Sequence, residues 1–309
     1  MNDMLPLNVK AAEEKEKQET LLGKRTKGEA DAGDEDGDQQ GQAKKKRKLP
    51  ASYSAHMAEQ KAAAQAEEML KKLLVEPTVT FDDLGGLDKT ISELREMIEW
   101  PLDYDDVFNF LGVKPPRGIL ISGPPGTGKT QLALAVAGAN PDIPLYKLNA
   151  PEVVSGLSGQ SEEKIRQMFQ GVREKAPAII FIDELDSIAG KRENAGKDME
   201  VRIVAQLASC LDDLDATGEQ VIVIGVTSRP ETIDQGLRRA GRFDREITIG
   251  VPNEEARIDI LKKLTKGLRL AKDFPFEELV KCTPGYVGAD LQTLCKEASI
   301  IAVKRIVEE

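Results

Sequence analysis

The sequence predicts an α/β fold: a parallel sheet with helices on both faces, then a small all-helical domain, with a disordered tail in front. Three observations predict it. Short β-rich or apolar runs (Ile119–Ser122, Leu145–Leu148, Ile179–Asp183 and Val221–Thr227) alternate with helical stretches, the pattern of βαβ units. The strand-like runs stop after Pro252. Composition shifts near residue 78: of the net charge of −10, residues 1–78 hold −1 and residues 79–309 the remaining −9.

Residues 1–54 read as tail. Six acids between Glu29 and Asp38 are followed by the basic run Lys44, Lys45, Lys46, Arg47 and Lys48. So little apolar surface cannot offset the entropy of ordering, and disorder is expected. A five-residue basic run in such a tail reads as a nuclear import signal taken by an import receptor, with a nucleic-acid contact or a plain solvated run as alternatives. Residues 55–78 read as a helical linker, rich in strong helix formers and closed by Pro77. Residues 79–251 carry the strand–helix alternation, with helices expected over Gly128–Gly138, Glu162–Lys175 and Asp198–Leu214. In residues 252–309, Glu254–Lys266, Phe276–Lys281 and Ala289–Val307 read as helices.

Composition excludes several chemistries. One histidine, His56, cannot build a Ser-His-Asp triad, an HExxH zinc site or a two-histidine iron site. Cys210, Cys282 and Cys295 form no CxxC pair, so neither a zinc knuckle nor a disulfide scaffold is expected. No apolar run approaches the roughly 18 residues of a membrane span. A signal-peptide pattern is not found at the start. The chain reads as soluble and intracellular.

The sharpest feature is Gly123-Pro-Pro-Gly-Thr-Gly-Lys129-Thr130, a complete GxxxxGK[ST] after one strand and before one helix. Glycines let the backbone wrap an anion so that amide N–H groups and the helix N-terminus face it. Lys129 is expected at the β- and γ-phosphates and the Thr130 hydroxyl on Mg²⁺. Pro125, Gly126, Thr127, Gly128 and Gln131 complete the expected nucleotide contacts. A Gly-rich turn with no ligand would need no Lys-Thr at its last two places. The fold class thus sharpens to a P-loop NTPase sheet. Downstream, Ile179-Ile-Phe-Ile ends in Asp183-Glu184, at the end of a strand where α/β sheets place their ligands. Asp183 is expected to hold Mg²⁺ through a water, and Glu184 to polarise the water that attacks the γ-phosphate. The Asn-Lys-x-Asp segment by which Ras-type GTPases read guanine does not occur, which favours ATP.

From Phe81 to Val307 the chain resembles an AAA ATPase module. The resemblance rests on Asp82-Asp83-Leu-Gly85-Gly86, the P-loop, the acid pair, Leu237-Arg238-Arg239-Ala-Gly-Arg242-Phe-Asp-Arg245 and Gly288-Ala289-Asp290, in that order. It implies that Asp83 and Gly85 line the adenine end and that Gly288 and Ala289 close the helical lid over the nucleotide. It also implies that Arg239 and Arg242 act in trans, as fingers on a neighbouring copy's phosphates, and hence a homohexameric ring. The alternative is that these arginines only pair with surface acids. Val154-Ser-Gly-Leu-Ser-Gly-Gln-Ser-Glu162, Lys197-Asp-Met-Glu200 and Arg202-Ile-Val-Ala-Gln-Leu207 look most like the first module of the nuclear valosin-containing-protein-like, ribosome-export ATPases. That implies a nuclear protein, nucleolar or nucleoplasmic, which extracts assembly factors from precursors of the large ribosomal subunit by threading polypeptide. Neither a membrane nor nucleic acid is an expected partner of the module, whose charge is opposite to what phosphate backbones attract. A general valosin-type segregase or an ATP-dependent assembly scaffold are the other readings.

Three features depart from the family pattern. Leu157 and Ser158, in the expected pore loop, offer no aromatic grip on a threaded chain. Leu264 stands where several relatives place a histidine. Ser228 stands where the family usually has a sensor asparagine, and one short hydroxyl replaces a donor and an acceptor. Slow hydrolysis with retained ATP binding is therefore expected. Ser228→Asn is expected to raise the turnover of an assembled ring; an unchanged or lower rate would count against this.

Overall fold

The computed structural model describes residues 66–76, 78–154, 160–189 and 198–308. The expected tail, the basic run Lys44–Lys48, His56, and Leu157 and Ser158 of the expected pore loop lie outside them.

A helix over 66–73 (α1) opens the described chain. It is not a free linker. Leu70 is buried against the α/β core, and Val75 N donates to Leu145 O at 2.9 Å. Two helices that the sequence reading did not identify follow, α2 (Asp88–Asp103) and α3 (Asp105–Leu111). Then come β1 (Gly118–Ser122), α4 (Lys129–Ala139), β2 (Leu145–Asn149), α5 (Ala150–Val154) and α6 (Gln160–Arg173). The α/β part ends with β3 (Ala178–Asp183), α7 (Asp198–Thr217), β4 (Val221–Thr227) and β5 (Phe243–Thr248). Three helices follow: α8 (Glu254–Leu264), α9 (Phe276–Lys281) and α10 (Gly288–Glu308).

The five strands form one parallel sheet in the order β2-β3-β4-β1-β5. Every residue of β1 and β4 is buried, as a parallel sheet covered on both faces requires. The period of two survives beneath that uniform burial. Ile119, Ile121, Ile179 and Phe181 pack with α2 and α4, whereas Leu120, Ile180 and Ile182 pack with α6 and α7. Odd-numbered residues of β2 and β3 therefore face α4, which decides what can reach the site below. The chain at Val79–Thr80 can lie against α4 because Gly138 has no side chain: a Cβ there would lie 2.1 Å from Val79 O.

The sequence reading also lacked β5. This strand lies at the sheet edge beside β1, and only Phe243 and Ile247 turn inward; Asp244, Arg245, Glu246 and Thr248 are exposed. A charged edge blunts unwanted pairing, and it also hides the strand from an apolar-run search.

The helical part closes on its own small core of Leu261, Val280 and Leu291. Asn253 caps α8, its Oδ1 accepting from Ala256 N at 2.8 Å. The buried Arg257 guanidinium donates to Pro252 O at 2.9 Å and Val280 O at 3.4 Å, joining the approach to α8 with α9. All three described cysteines are free thiols, and no helix among the described residues is long and apolar enough to cross a membrane.

Candidate nucleotide site

The carboxyl ends of β1, β3 and β4 open into a cleft of about 730 Å³, roofed by the helical part. The loop Pro125–Gln131, Asp183, Glu184, Ser228, Asp83, Gly85, Gly288 and Ala289 all line it. The structure thus gathers residues more than 200 positions apart.

The loop hangs between the buried end of β1 and the first turn of α4. Lys129 is buried, and its Nζ donates to Gly123 O at 2.8 Å and Pro124 O at 2.7 Å. Burial pushes the ammonium's pKa down, and the nearby Asp186 and Asp183 carboxylates only partly offset this. Gly126 has φ +79°, and a Cβ there would lie 2.9 Å from Val287 Cγ2 and 3.0 Å from Ala289 Cβ. Glycine is required twice over, by the backbone and by the roof. At the same point Ala289 N donates to Gly126 O at 3.1 Å, hydrogen-bonding the first turn of α10 to the loop.

Opposite Lys129, the Thr130 hydroxyl donates to Asp183 Oδ1 at 3.2 Å, and Glu184 N donates to the same oxygen at 3.1 Å. Lys147 Nζ pairs with Asp183 Oδ2 at 3.1 Å. Glu184 has φ +53° and is the non-glycine residue with positive φ among those described. Such backbone strain concentrates where a side chain must be aimed. Glu184 and Ser228 are both exposed in the cleft, each just past the carboxyl end of its strand, β3 and β4, which are neighbours in the sheet. Thr227 is fully buried, its hydroxyl donating to Asp186 Oδ1 at 2.9 Å and accepting from Arg229 N at 3.0 Å. A hydroxyl and a carboxylate side by side form an oxygen donor set suited to a hard divalent cation that takes its other ligands from phosphate and water. No three described His, Cys, Asp or Glu residues cluster as a self-sufficient metal cage.

Two residues assigned through the family likeness have other partners. The Asp83 carboxylate accepts from Thr80 N and Thr80 Oγ1, both at 3.0 Å, which holds its pKa below the usual value. It lines the cleft as a capping group. Gly85 and Gly86 meet α8: a Cβ on Gly85 would lie 2.6 Å from Ile260 N, and Gly86 N donates to Asp259 Oδ2 at 2.8 Å. Asp290, likewise, caps α10 by accepting from Val287 N at 3.0 Å.

The arginines stand away from the cleft. Arg242 is bound within its own chain, Nε and Nη2 donating to the two Asp212 oxygens at 2.7 and 2.8 Å and Nη1 to Gly236 O at 2.5 Å. Arg238 donates to Glu246 at 2.6 Å. Arg239 is exposed, and its guanidinium makes no hydrogen bond or ion pair among the described residues. The expectation that Arg239 and Arg242 act alike is thus met by two different environments. The sequence reading missed Lys147 and Asp212. Lys147 carried a signal, a lone charge inside a buried run. Asp212 carried none, since only the fold brings it to a residue 30 positions away.

A phosphate-binding loop, a paired hydroxyl and carboxylate, an exposed acid and a hydrogen-bonded helical roof define a nucleoside-triphosphate site of the P-loop class. Comparison with known proteins gives the family. Residues 119–251 match the model "ATPase family associated with various cellular activities (AAA)", and residues 273–309 match the AAA+ lid domain. The nuclear valosin-containing protein-like protein of Mus musculus is 53% identical over 230 residues, covering 74% of this chain and 27% of the relative. The ribosome biogenesis ATPase RIX7 of Saccharomyces cerevisiae is 47% identical over 234 residues, 74% of this chain and 28% of the relative. The cell division cycle protein 48 homolog of Archaeoglobus fulgidus is 49% identical over 244 residues, 79% and 33% respectively. The chain belongs to the AAA ATPase family. It spans about a third or less of the length of these relatives.

Arg242 and Asp212 should couple. In a double-mutant cycle of unfolding free energy, Arg242→Ala and Asp212→Ala are expected to interact by about 0.5–1 kcal/mol near neutral pH, a value held down by solvent exposure. Arg242 holds the Asp212 carboxyl below its ordinary 3.8, so the stabilisation is complete above that value and lost as pH falls through the lower, folded-state pKa. No coupling at neutral pH, or equal coupling in strong acid, would contradict the pairing.

Proposed function

We propose that the chain binds Mg·ATP in this cleft and hydrolyses it in a ring whose active sites are shared between copies. The observation that carries the proposal is the pairing of a buried Lys129 with an exposed, unpaired Arg239: one chain holds the triphosphate side of the chemistry, and its free guanidinium has no phosphate of its own to reach. Residues 79–251 act as the ATP-cutting subdomain and residues 252–309 as the lid.

In this reading Lys129 and the backbone N–H groups of Gly126–Gln131 seat the phosphates. Thr130 and Asp183 hold Mg²⁺, which supplies charge neutralisation to the transferred phosphoryl group. Glu184 polarises the attacking water, and Ser228 offers a hydroxyl from the end of the neighbouring strand. Gly288 and Ala289 report nucleotide occupancy to the lid through the Ala289–Gly126 hydrogen bond. Arg239 is the finger donated to the next copy, whereas Arg242, fixed to Asp212 and Gly236, holds the finger's loop in shape.

The relatives' names support the wider setting. A nuclear, ring-forming remodeller acting in ribosome biogenesis by extracting assembly factors is proposed from the likeness to the nuclear valosin-containing protein-like protein and to RIX7. A general valosin-type segregase is supported by the comparable likeness to the archaeal cell division cycle protein 48 homolog. The basic run Lys44–Lys48 is proposed as the import signal, and Leu157 and Ser158 as the polypeptide contact. Ser228 favours a second reading, an assembly scaffold with weak hydrolysis.

Turnover and binding measured together separate these readings. Arg239→Ala is expected to keep ATP affinity and lose hydrolysis by roughly 10³–10⁵-fold. Glu184→Gln is expected to bind ATP without turnover, and Lys129→Ala to bind none. Tight binding with no turnover in the unmodified chain would favour the scaffold; full turnover in Arg239→Ala would overturn the shared site.

A further inference from the structure

Lys147 sits inside β2, between Tyr146 and Leu148, both of which are buried. Its side chain stays in the fold. Nζ lies 3.1 Å from Asp183 Oδ2 and 5.4 Å from the centre of the Phe181 ring. The strand register explains the reach: Lys147 stands opposite Phe181 and Asn149 opposite Asp183, so Lys147 extends diagonally to the next pair along the α4 face. The two side chains are 27% and 13% exposed, so solvent screens this pair far less than a surface ion pair.

Asp183 is therefore divided. Oδ1 accepts from Thr130 Oγ1 and Glu184 N, facing the loop, while Oδ2 is taken by a fixed cation. A carboxylate already neutralised by an ammonium attracts a divalent ion weakly, and the ammonium itself repels that ion. The pair is not needed to join β2 to β3, which are in register along five residue pairs.

We propose that Lys147 is a positioning residue that sets the metal affinity of the site: it turns Asp183 Oδ1 toward Thr130 and keeps the protein's own grip on Mg²⁺ weak. The ion is then held chiefly by nucleotide phosphates, and it arrives and departs with them. This inference rests on the nucleotide-site reading above and adds a control on product release, because weakly held Mg²⁺ leaves ADP easier to exchange.

The experiment titrates Mg²⁺ into the full chain carrying a fluorescent ADP analogue, for the unmodified protein, Lys147→Met, Lys147→Gln and Lys147→Arg. A unit charge removed from a partly buried site within a few ångströms of a divalent ion is expected to raise Mg²⁺ affinity at least about tenfold in the Met and Gln variants. Lys147→Arg keeps the charge and should stay near the unmodified value. Binding of the ADP analogue in EDTA reports an intact site in each variant. If the unmodified chain binds no analogue, the nucleotide-site reading itself fails. If the analogue binds but Mg²⁺ affinity in both neutral variants is unchanged or lower, the role of Lys147 alone is overturned.

Discussion

A buried ammonium held only by carbonyl oxygens is the constraint on which this structure turns. Lys129 is 6% exposed, and its Nζ donates to Gly123 O and Pro124 O rather than to a carboxylate. Carrying a charge into such a place is costly, which its lowered pKa expresses. The surrounding elements make the cost bearable. The end of β1 fixes the two carbonyls, the first turn of α4 directs amide groups to the same side, and Asp183 and Asp186 stand close enough to steady the charge without binding it. A phosphate chain meets that demand directly, because it brings negative charge to the site where the fold has gathered positive charge and N–H donors.

The roof follows from the same loop. Gly126 permits the turn and also admits Val287 and Ala289, so the lid helix touches the backbone that would hold the phosphates. Gly85 and Gly86 do the corresponding work on the other side, bringing the strand-side chain against the backbone of α8. The lid is thus joined to the α/β part on two flanks of one cleft, once at the loop and once at Gly85–Gly86. A change at the phosphates has a short route to the helical part, and the position of that part bears on the shape of the cleft.

Much of this was legible in sequence because the chemistry is local. The loop from Gly123 to Thr130 and the acids after Ile182 announce themselves, and four of the five strands are apolar runs found within one residue of their observed limits. What escaped depends on tertiary context. β5 was hidden because an edge strand with Asp244, Arg245 and Glu246 outward has no apolar run to find. Asp83 carries a family assignment at the adenine end and does line the cleft, but its cap on Thr80 appears only once the chain is folded. Arg239 and Arg242 look equivalent in the motif and are separated only by the arrival of Asp212 from α7. Pairings across the fold, not residue types, distinguish a free cation from a bound one.

The central claim is that no single copy completes the chemistry. It is tested most directly by mixing two inactive variants, Glu184→Gln and Arg239→Ala, and measuring ATP turnover against each alone. Interfaces in which the first variant lends Arg239 to a site whose Glu184 comes from the second contain every group required. The account predicts that the mixture regains a clear fraction of the unmodified rate. A mixture that forms mixed assemblies yet stays as inactive as its components would contradict it.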